Sequence, residues 1–177
     1  MIGIDKSSWH TRIVGHFGEY LVCNWLSRSG FEVSIVDHTG MDVIAYNPRT
    51  RQRLGITVKS RTRSPGTETG SVYLLRGAKS DRQKLLDACT AFSCDPCVAV
   101  YVECRNRADL FLTSLANYDK RHKVRGKAVD GWPMTEKHTT EYAADPEVKH
   151  IRIEFKAENW WNDRVRSMVT KFGSTPE

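Results

Sequence analysis

Two charged residues, Asp42 and Lys59, stand within apolar runs of the stretch GMDVIAYNPRTRQRLGITVKS at residues 40–60. The Asn-Pro pair between these runs is typical of a turn, and the runs themselves predict two strands of a hairpin. If the turn is centred between residues 49 and 50, Asp42 lies opposite Thr57, whereas a shift of one residue would place it opposite Val58. Alternation of side chains places Thr57 and Lys59 on one face. A charge in an apolar strand is costly unless it is paired or used. We therefore expect Asp42 and Lys59 to meet.

A third charged residue, Glu19, belongs to a helix that the sequence predicts over residues 8–28. At helical spacing Glu19 shares a face with Val22, Cys23 and Leu26. A glutamate on an apolar face rarely lacks a partner. If this helix covers the hairpin, the Glu19 carboxylate points at the same place as Asp42 and Lys59.

Two carboxylates and a lysine suit the hydrolysis of a phosphodiester. Carboxylate and carbonyl oxygens hold Mg²⁺, which makes a bound water more acidic and offsets charge on the phosphate. The lysine would stabilise developing negative charge or orient the attacking water. Basic side chains nearby would grip the flanking backbone of a nucleic acid, and the candidates are Arg51, Arg53, Arg61 and Arg63. The alternatives are a structural ion pair between Asp42 and Lys59 and a solvated basic surface.

The composition sets limits on the class of protein. The chain has 177 residues, 40% of them hydrophobic, which suits one folded domain. A net charge of +6 suggests a polyanionic partner such as DNA. No apolar run is long enough to cross a bilayer, and the first ten residues lack a secretory apolar core. Five cysteines, an odd number, argue against a disulfide framework. We expect a soluble cytoplasmic protein that does not engage a membrane.

The order of elements predicts a mixed α/β domain. The first helix is followed by three strands, a second helix that starts at Ser80 with Gln83 completing a capping box, and further strands at CVAVYVE and ADLFLT. We interpret residues 1–177 as a single domain with its core at about 8–113. Residues 118–150 are polar and predict an insertion with little core. The strand IRIEF and an amphipathic helix complete the prediction at about 151–172.

The segments FGEYLVCNWLSRSGFEVS and HTGMDVIAYNPRTRQRLGITVKSR together resemble the PD-(D/E)XK nuclease superfamily, within which the Holliday-junction-resolvase and Mrr-like branch is most similar. The resemblance covers residues 14–104. It implies the restriction-endonuclease-like fold, an αβββαβ core with a mixed sheet flanked by helices. It also implies a metal-dependent DNA endonuclease of repair, recombination or restriction, with Glu19, Asp42 and Lys59 in the catalytic positions.

The chain departs from the family pattern at two positions. Met41 stands in place of proline, and Thr57, a neutral and weak metal ligand, stands where the family has a second acidic residue. This leaves Asp42, the carbonyl of Val58 and Glu19 to hold Mg²⁺ or Mn²⁺. Two hypotheses follow: a metal-dependent endonuclease, for which a homodimer would cut both strands of a duplex, or a catalytically impaired nuclease-fold module for DNA binding or assembly.

Overall fold

The computed structural model describes residues 6–63, 70–74, 80–104, 106–120, 123–124, 127–128 and 131–156. Its helices are α1 (His10–Arg28), α2 (Asp81–Phe92), α3 (Leu115–Lys120) and α4 (Glu136–Ala144). Its longer strands are β1 (Glu32–His38), β2 (Met41–Tyr46), β3 (Arg53–Arg63), β5 (Asp95–Cys104), β6 (Arg107–Ser114) and β10 (Lys149–Glu154). The two-residue strands are β4 (Val72–Tyr73), β7 (Lys123–Val124), β8 (Lys127–Ala128) and β9 (Gly131–Trp132).

A six-stranded mixed sheet forms the centre of the described structure, in the order β1-β2-β3-β5-β6-β10. Strands β3 and β5 run parallel, and the other neighbouring pairs of this sheet are antiparallel. The parallel pair needs a crossover, which α2 supplies. With α1 ahead of the first three strands, the predicted α/β class and αβββαβ order are confirmed.

The two faces of the sheet are packed by different helices. On one face, Val22 and Leu26 of α1 join the core cluster that contains Ile56 of β3. On the other face, Leu85 of α2 packs with Val100 of β5. Strands β2 and β3 lie inside this covered sheet, which explains why their sequences are apolar on both faces.

Local signals set the ends of the first two helices. The Ser80 hydroxyl accepts a hydrogen bond from the Gln83 backbone N–H at 3.2 Å, so the predicted N-cap of α2 is confirmed. Gly30 has φ +86° just after α1, where its backbone freedom permits the left-handed turn that ends the helix.

Residues 118–150 contribute to the core, so the expectation that they hold little core is wrong. Trp132 is fully buried, and its ring stacks on Tyr142 with centroids 4.1 Å apart and on Tyr118 at 5.1 Å. These aromatic residues are spread among polar ones without helical or strand periodicity. Sequence patterns therefore miss them, although they pack on the α2 side of the sheet.

The strand predicted at IRIEF is β10, which pairs antiparallel with β6 at one edge of the sheet. The helix predicted after it, over about 158–172, lies outside the described residues. Among the helices that the structure describes, none combines the length and apolarity that crossing a membrane requires.

Candidate active site

Asp42 lies where the backbone ladder between β2 and β3 ends. The last ladder pair is Val43 with Ile56, and this register sets Asp42 opposite Thr57, as predicted. The Asp42 carboxylate then takes the place of a backbone partner. It accepts a hydrogen bond from the Val58 backbone N–H at 2.6 Å and another from the Thr57 hydroxyl at 3.1 Å. The Thr57 side chain and the backbone of β3 thus hold the Asp42 carboxylate in one orientation.

The bond from the Val58 N–H also fixes the direction of its carbonyl. In a strand, the N–H and C=O of one residue point to the same neighbouring strand. The Val58 carbonyl therefore points to the side on which Asp42 lies, beyond the last pair of the ladder. Thr57 is 4% exposed, and its hydroxyl donates a hydrogen bond to the Asp42 carboxylate. Asp42 and β3 therefore offer two oxygen ligands to a metal ion, the Asp42 carboxylate and the Val58 carbonyl.

Helix α1 brings Glu19 into the neighbourhood of Asp42. Partial burial raises the pKa of Glu19, and the negative charges of Asp42 and Asp37 raise it further, while His16 acts in the opposite direction. Like charges raise a carboxyl pKa only at short range. Among the described residues, neither Glu19 nor Asp42 forms an ion pair with a lysine or an arginine. The two carboxylates therefore repel each other.

Lys59 does not meet Asp42, contrary to our expectation. Its ammonium group lies 2.9 Å from the Asp81 carboxylate, and Lys84 approaches the same carboxylate at 3.6 Å. The reason is geometric. Asp42 accepts from the strand itself, whereas Lys59 stands two residues beyond Thr57 on the same face and reaches the first turn of α2.

Asp81 is the residue of this site that the sequence reasoning missed. A signal was present, since Asp81 directly follows the N-cap Ser80 in the helix that connects two parallel strands. In such a crossover, the N-terminus of the helix faces the carboxyl end of the preceding strand, and Lys59 lies near that end of β3. An acid is also favourable there, beside the positive end of the helix dipole.

The structure divides the predicted basic residues into two groups. Arg61 and Arg63 follow Lys59 at alternate positions, so their side chains share its face of β3. Arg53 begins β3 at its other end, and Arg51 lies two residues before it. Lys59 lies six positions after Arg53, which is about 20 Å along a strand.

The two groups also differ in their contacts. The Arg53 guanidinium lies 5.8 Å from the centre of the Tyr46 ring, a cation–π contact at the exposed end of the hairpin. Arg63 instead donates hydrogen bonds to the carbonyls of Gly70 and Ser71, at 2.8 and 3.0 Å. The geometry thus associates Arg61 and Arg63 with Lys59, and it sets Arg51 and Arg53 apart.

The donor set at Asp42 fits a hard divalent cation. Carboxylate and carbonyl oxygens are the ligands that Mg²⁺ prefers, and a cation would offset the burial and the repulsion by Asp42 that together raise the pKa of Glu19. The set is small. In the part of the chain that the structure describes, no group of three His, Cys, Asp or Glu side chains is arranged to hold a metal ion.

No family model and no curated protein matches the sequence. Among solved structures, the chain is similar to Archaeoglobus fulgidus Hjc, a Holliday junction resolvase from an archaeal hyperthermophile, with a TM-score of 0.49 and 20% identity, over 72% of this chain and 88% of that one. It is also similar to a restriction endonuclease in complex with substrate DNA, with a TM-score of 0.39 and 14% identity, over 93% of this chain and 78% of that one. At these identities neither likeness bears on the side chains of the site.

Proposed function

We propose that the protein is a divalent-metal-dependent DNA endonuclease that hydrolyses phosphodiester bonds. One observation carries the proposal: a single strand, β3, joins an acidic site to a cationic one. Its Thr57–Val58 segment binds the Asp42 carboxylate. The next side chain on the same face, Lys59, begins a row of cations. An enzyme that cuts a polyanion needs both parts, adjacent to each other.

Asp42, the carbonyl of Val58 and Glu19 would hold Mg²⁺ or Mn²⁺. When bound, such an ion lowers the pKa of a coordinated water and offsets charge on the phosphate. The protein supplies the rigidity, because two hydrogen bonds from β3 orient Asp42 before any ion arrives. Glu19 is the more adaptable ligand, since its side chain in the middle of α1 is partly exposed.

Lys59 would stabilise the negative charge that develops on the phosphate oxygens. Asp81 acts as a positioning residue, because its carboxylate restrains the flexible ammonium group at 2.9 Å. This ion pair is partly exposed, with about a fifth of the Lys59 side chain accessible to solvent. The ammonium group can therefore be held in place and still reach a bound phosphate.

The test is a cleavage assay with the purified full chain, Mg²⁺ or Mn²⁺, and linear, nicked, branched and single-stranded DNA. We expect metal-dependent cleavage that Asp42→Asn and Lys59→Ala each abolish. The matched control is Arg53→Ala, which removes a cation from the far end of the same strand. Cleavage that persists unchanged in both Asp42→Asn and Lys59→Ala would reject the site.

A second function, DNA binding without hydrolysis, is favoured by one observation. The Thr57 side chain donates a hydrogen bond to Asp42, whereas a carboxylate at this position would add a metal ligand. On this reading the wild-type chain binds DNA in a salt-sensitive manner and does not cut it. Calorimetry of Thr57→Glu distinguishes the two, because metal uptake gained only in that variant identifies an impaired site.

Two further parts of the proposal concern the oligomeric state and the cellular role of the protein. Cutting both strands of a duplex requires two sites, so a homodimer stays our prediction for that reaction, and sedimentation velocity with and without DNA measures it. We also propose that the protein works in the cytoplasm on DNA of repair, recombination or restriction, which fractionation of cells expressing the tagged chain would check.

A further inference from the structure

A cleft of about 570 Å³ lies beside the candidate active site. It opens between the carboxyl-terminal half of β3 and the segment that carries β4. Its lining includes Lys59, Arg61, Arg63, Ser71, Tyr73 and Asp81. Since Lys59 and Asp81 also belong to the candidate site, a molecule in this cleft is next to the reacting groups. The volume is in the range of small-ligand sites.

The positive charge of the cleft favours an anionic ligand. Three of its lining side chains are cationic, and Asp81 is the acid among the described residues that line it. Burial lowers the pKa of Arg63, and the neighbouring charge of Arg61 lowers it further. Cations that crowd one another in this way fit a phosphate group, whose negative charge would offset their repulsion.

The wall of the cleft carries an aromatic ring in a fixed position. Tyr73 is 46% exposed, although it is a large aromatic residue in a strand. It pairs with Gly131 of β9, and a Cβ on Gly131 would lie 2.6 Å from the Tyr73 Cε1. The ring therefore lies on the bare backbone of a glycine. This contact holds one side of the ring, and the exposed remainder faces solvent beside the cations.

We propose that this cleft binds unpaired nucleotides of a DNA strand, with phosphates on Arg61 and Arg63 and a base stacked on Tyr73. A cationic groove with an aromatic ring is the arrangement that binds single strands without sequence preference. The ring discriminates against a duplex, because paired bases are already stacked on their neighbours and offer no free face. The substrate class is DNA with a single-stranded segment, an overhang, flap or branch, next to the cut.

This inference rests on the proposed DNA substrate but not on hydrolysis, so binding is measured in EDTA. Fluorescence anisotropy compares a labelled single strand with a duplex of the same length, for wild type and Tyr73→Leu. Stacking is worth roughly 1–3 kcal/mol per base. We therefore expect Tyr73→Leu to weaken single-strand binding about 5- to 150-fold and duplex binding by less than about threefold. Tyr73→Phe, which keeps the ring, should bind like wild type.

The matched control is Tyr20→Leu, because Tyr20 is a tyrosine with 66% exposure on α1, away from this cleft. We expect it to leave single-strand binding unchanged. Equal weakening of single-strand and duplex binding by Tyr73→Leu overturns the proposal, as does an equal effect of Tyr20→Leu. If Tyr73→Leu does not fold, Tyr73→Phe and Arg61→Gln decide. Loss of the single-strand preference in Tyr73→Phe, or an unchanged single-strand affinity in Arg61→Gln, contradicts the proposal.

Failure of this inference is distinct from failure of the proposed function. Asp42→Asn, tested for cleavage in Mg²⁺ and for binding in EDTA, separates them. A wild-type chain that cuts duplex and single-stranded DNA equally well retains the nuclease proposal and rejects the cleft. A chain that prefers single strands through Tyr73 but never cuts retains the cleft and rejects hydrolysis.

Discussion

The two halves of β3 carry similar numbers of basic residues around them but differ in their role. The amino-terminal half, which contains Leu54 and Ile56, is buried and lies inside the sheet, with Arg53 at its exposed start. The carboxyl-terminal half, from Lys59 onwards, is only partly buried and lines a cleft. The change occurs at Thr57 and Val58, where the β2 ladder has ended and Asp42 binds the strand.

This difference shows that a basic run in a sequence is not one functional unit. The role of each arginine depends on the groups that surround its side chain. Arg61 faces a polar cleft beside the candidate site, whereas Arg53 faces the ring of Tyr46 at the far end of the hairpin. The comparison predicts that substitutions in the two halves affect different measurements: catalysis and DNA binding in one half, and stability in the other.

The largest effect is expected at the point where the halves meet. Asp42→Asn keeps an oxygen that can accept from the Val58 N–H, but it removes the negative charge. Because a metal ligand is lost, we expect DNA cleavage in Mg²⁺ to fall by roughly 100-fold or more. Initial rates on a labelled substrate measure this change. A melting temperature close to that of wild type confirms that the loss is chemical, and a cleavage rate within threefold of wild type contradicts the site.

The next largest effect concerns stability in the amino-terminal half. At Gly55 a Cβ would lie 2.5 Å from the Cys89 Sγ and 2.8 Å from the Met41 Sδ. We expect Gly55→Ala to destabilise the fold by roughly 1–3 kcal/mol through overpacking, which lowers Tm by about 2–4 °C per kcal/mol. Thermal unfolding followed by circular dichroism tests it.

The control for overpacking is Gly15→Ala. Nothing lies within 4 Å of a Cβ at Gly15, which is inside a helix, so this change should stabilise by roughly 0.5–1 kcal/mol. A Gly55→Ala chain as stable as Gly15→Ala would show that α2 does not pack closely on β3.

A smaller effect separates the two groups of arginines. We expect Arg61→Ala to weaken duplex binding about fivefold and to lower the salt slope of binding by about one, because one phosphate contact is lost. Arg53→Ala should change the affinity by less than about twofold. Anisotropy titrations at several salt concentrations provide both numbers. Equal effects of the two substitutions would remove the distinction between the halves of β3.

The smallest effect is electrostatic and concerns Glu19. Its pKa is raised in the folded chain, so the fold binds this proton more tightly than the unfolded chain does. The associated stability is present at low pH and is lost as pH rises through the ordinary pKa of a glutamate to the raised one. We expect Glu19→Gln to raise the metal-free Tm by about 1 °C at pH 7.

The same comparison near pH 4 should show no gain, because Glu19 is then largely protonated in the wild type. In Mg²⁺ at pH 7, wild type should have the higher Tm of the two proteins if Glu19 is a ligand. The reason is that wild type gains stability from the ion and Glu19→Gln gains less. Differential scanning calorimetry at both pH values, with and without Mg²⁺, measures all four cases. A lower metal-free Tm in Glu19→Gln would contradict the repulsion between Glu19 and Asp42.

Much of the fold was predictable because it follows from local rules. The turn sequence after β2 fixes the hairpin register, and with it the position of Asp42 opposite Thr57. The Ser80 cap marks the start of α2 in the same way. Trp132 escaped prediction because its burial depends on rings from distant segments, Tyr118 and Tyr142, and not on a periodic pattern of its neighbours.

The sequence by itself determined which residues share one face of β3, since side chains alternate along any strand. It also determined that the first helix carries a carboxylate on its apolar side. Only the tertiary structure decided that Lys59 pairs with Asp81, and that Tyr73 lines the cleft of Arg61. Alternation and helical spacing act within one element, whereas the partner of a long side chain depends on how separate elements pack across the sheet.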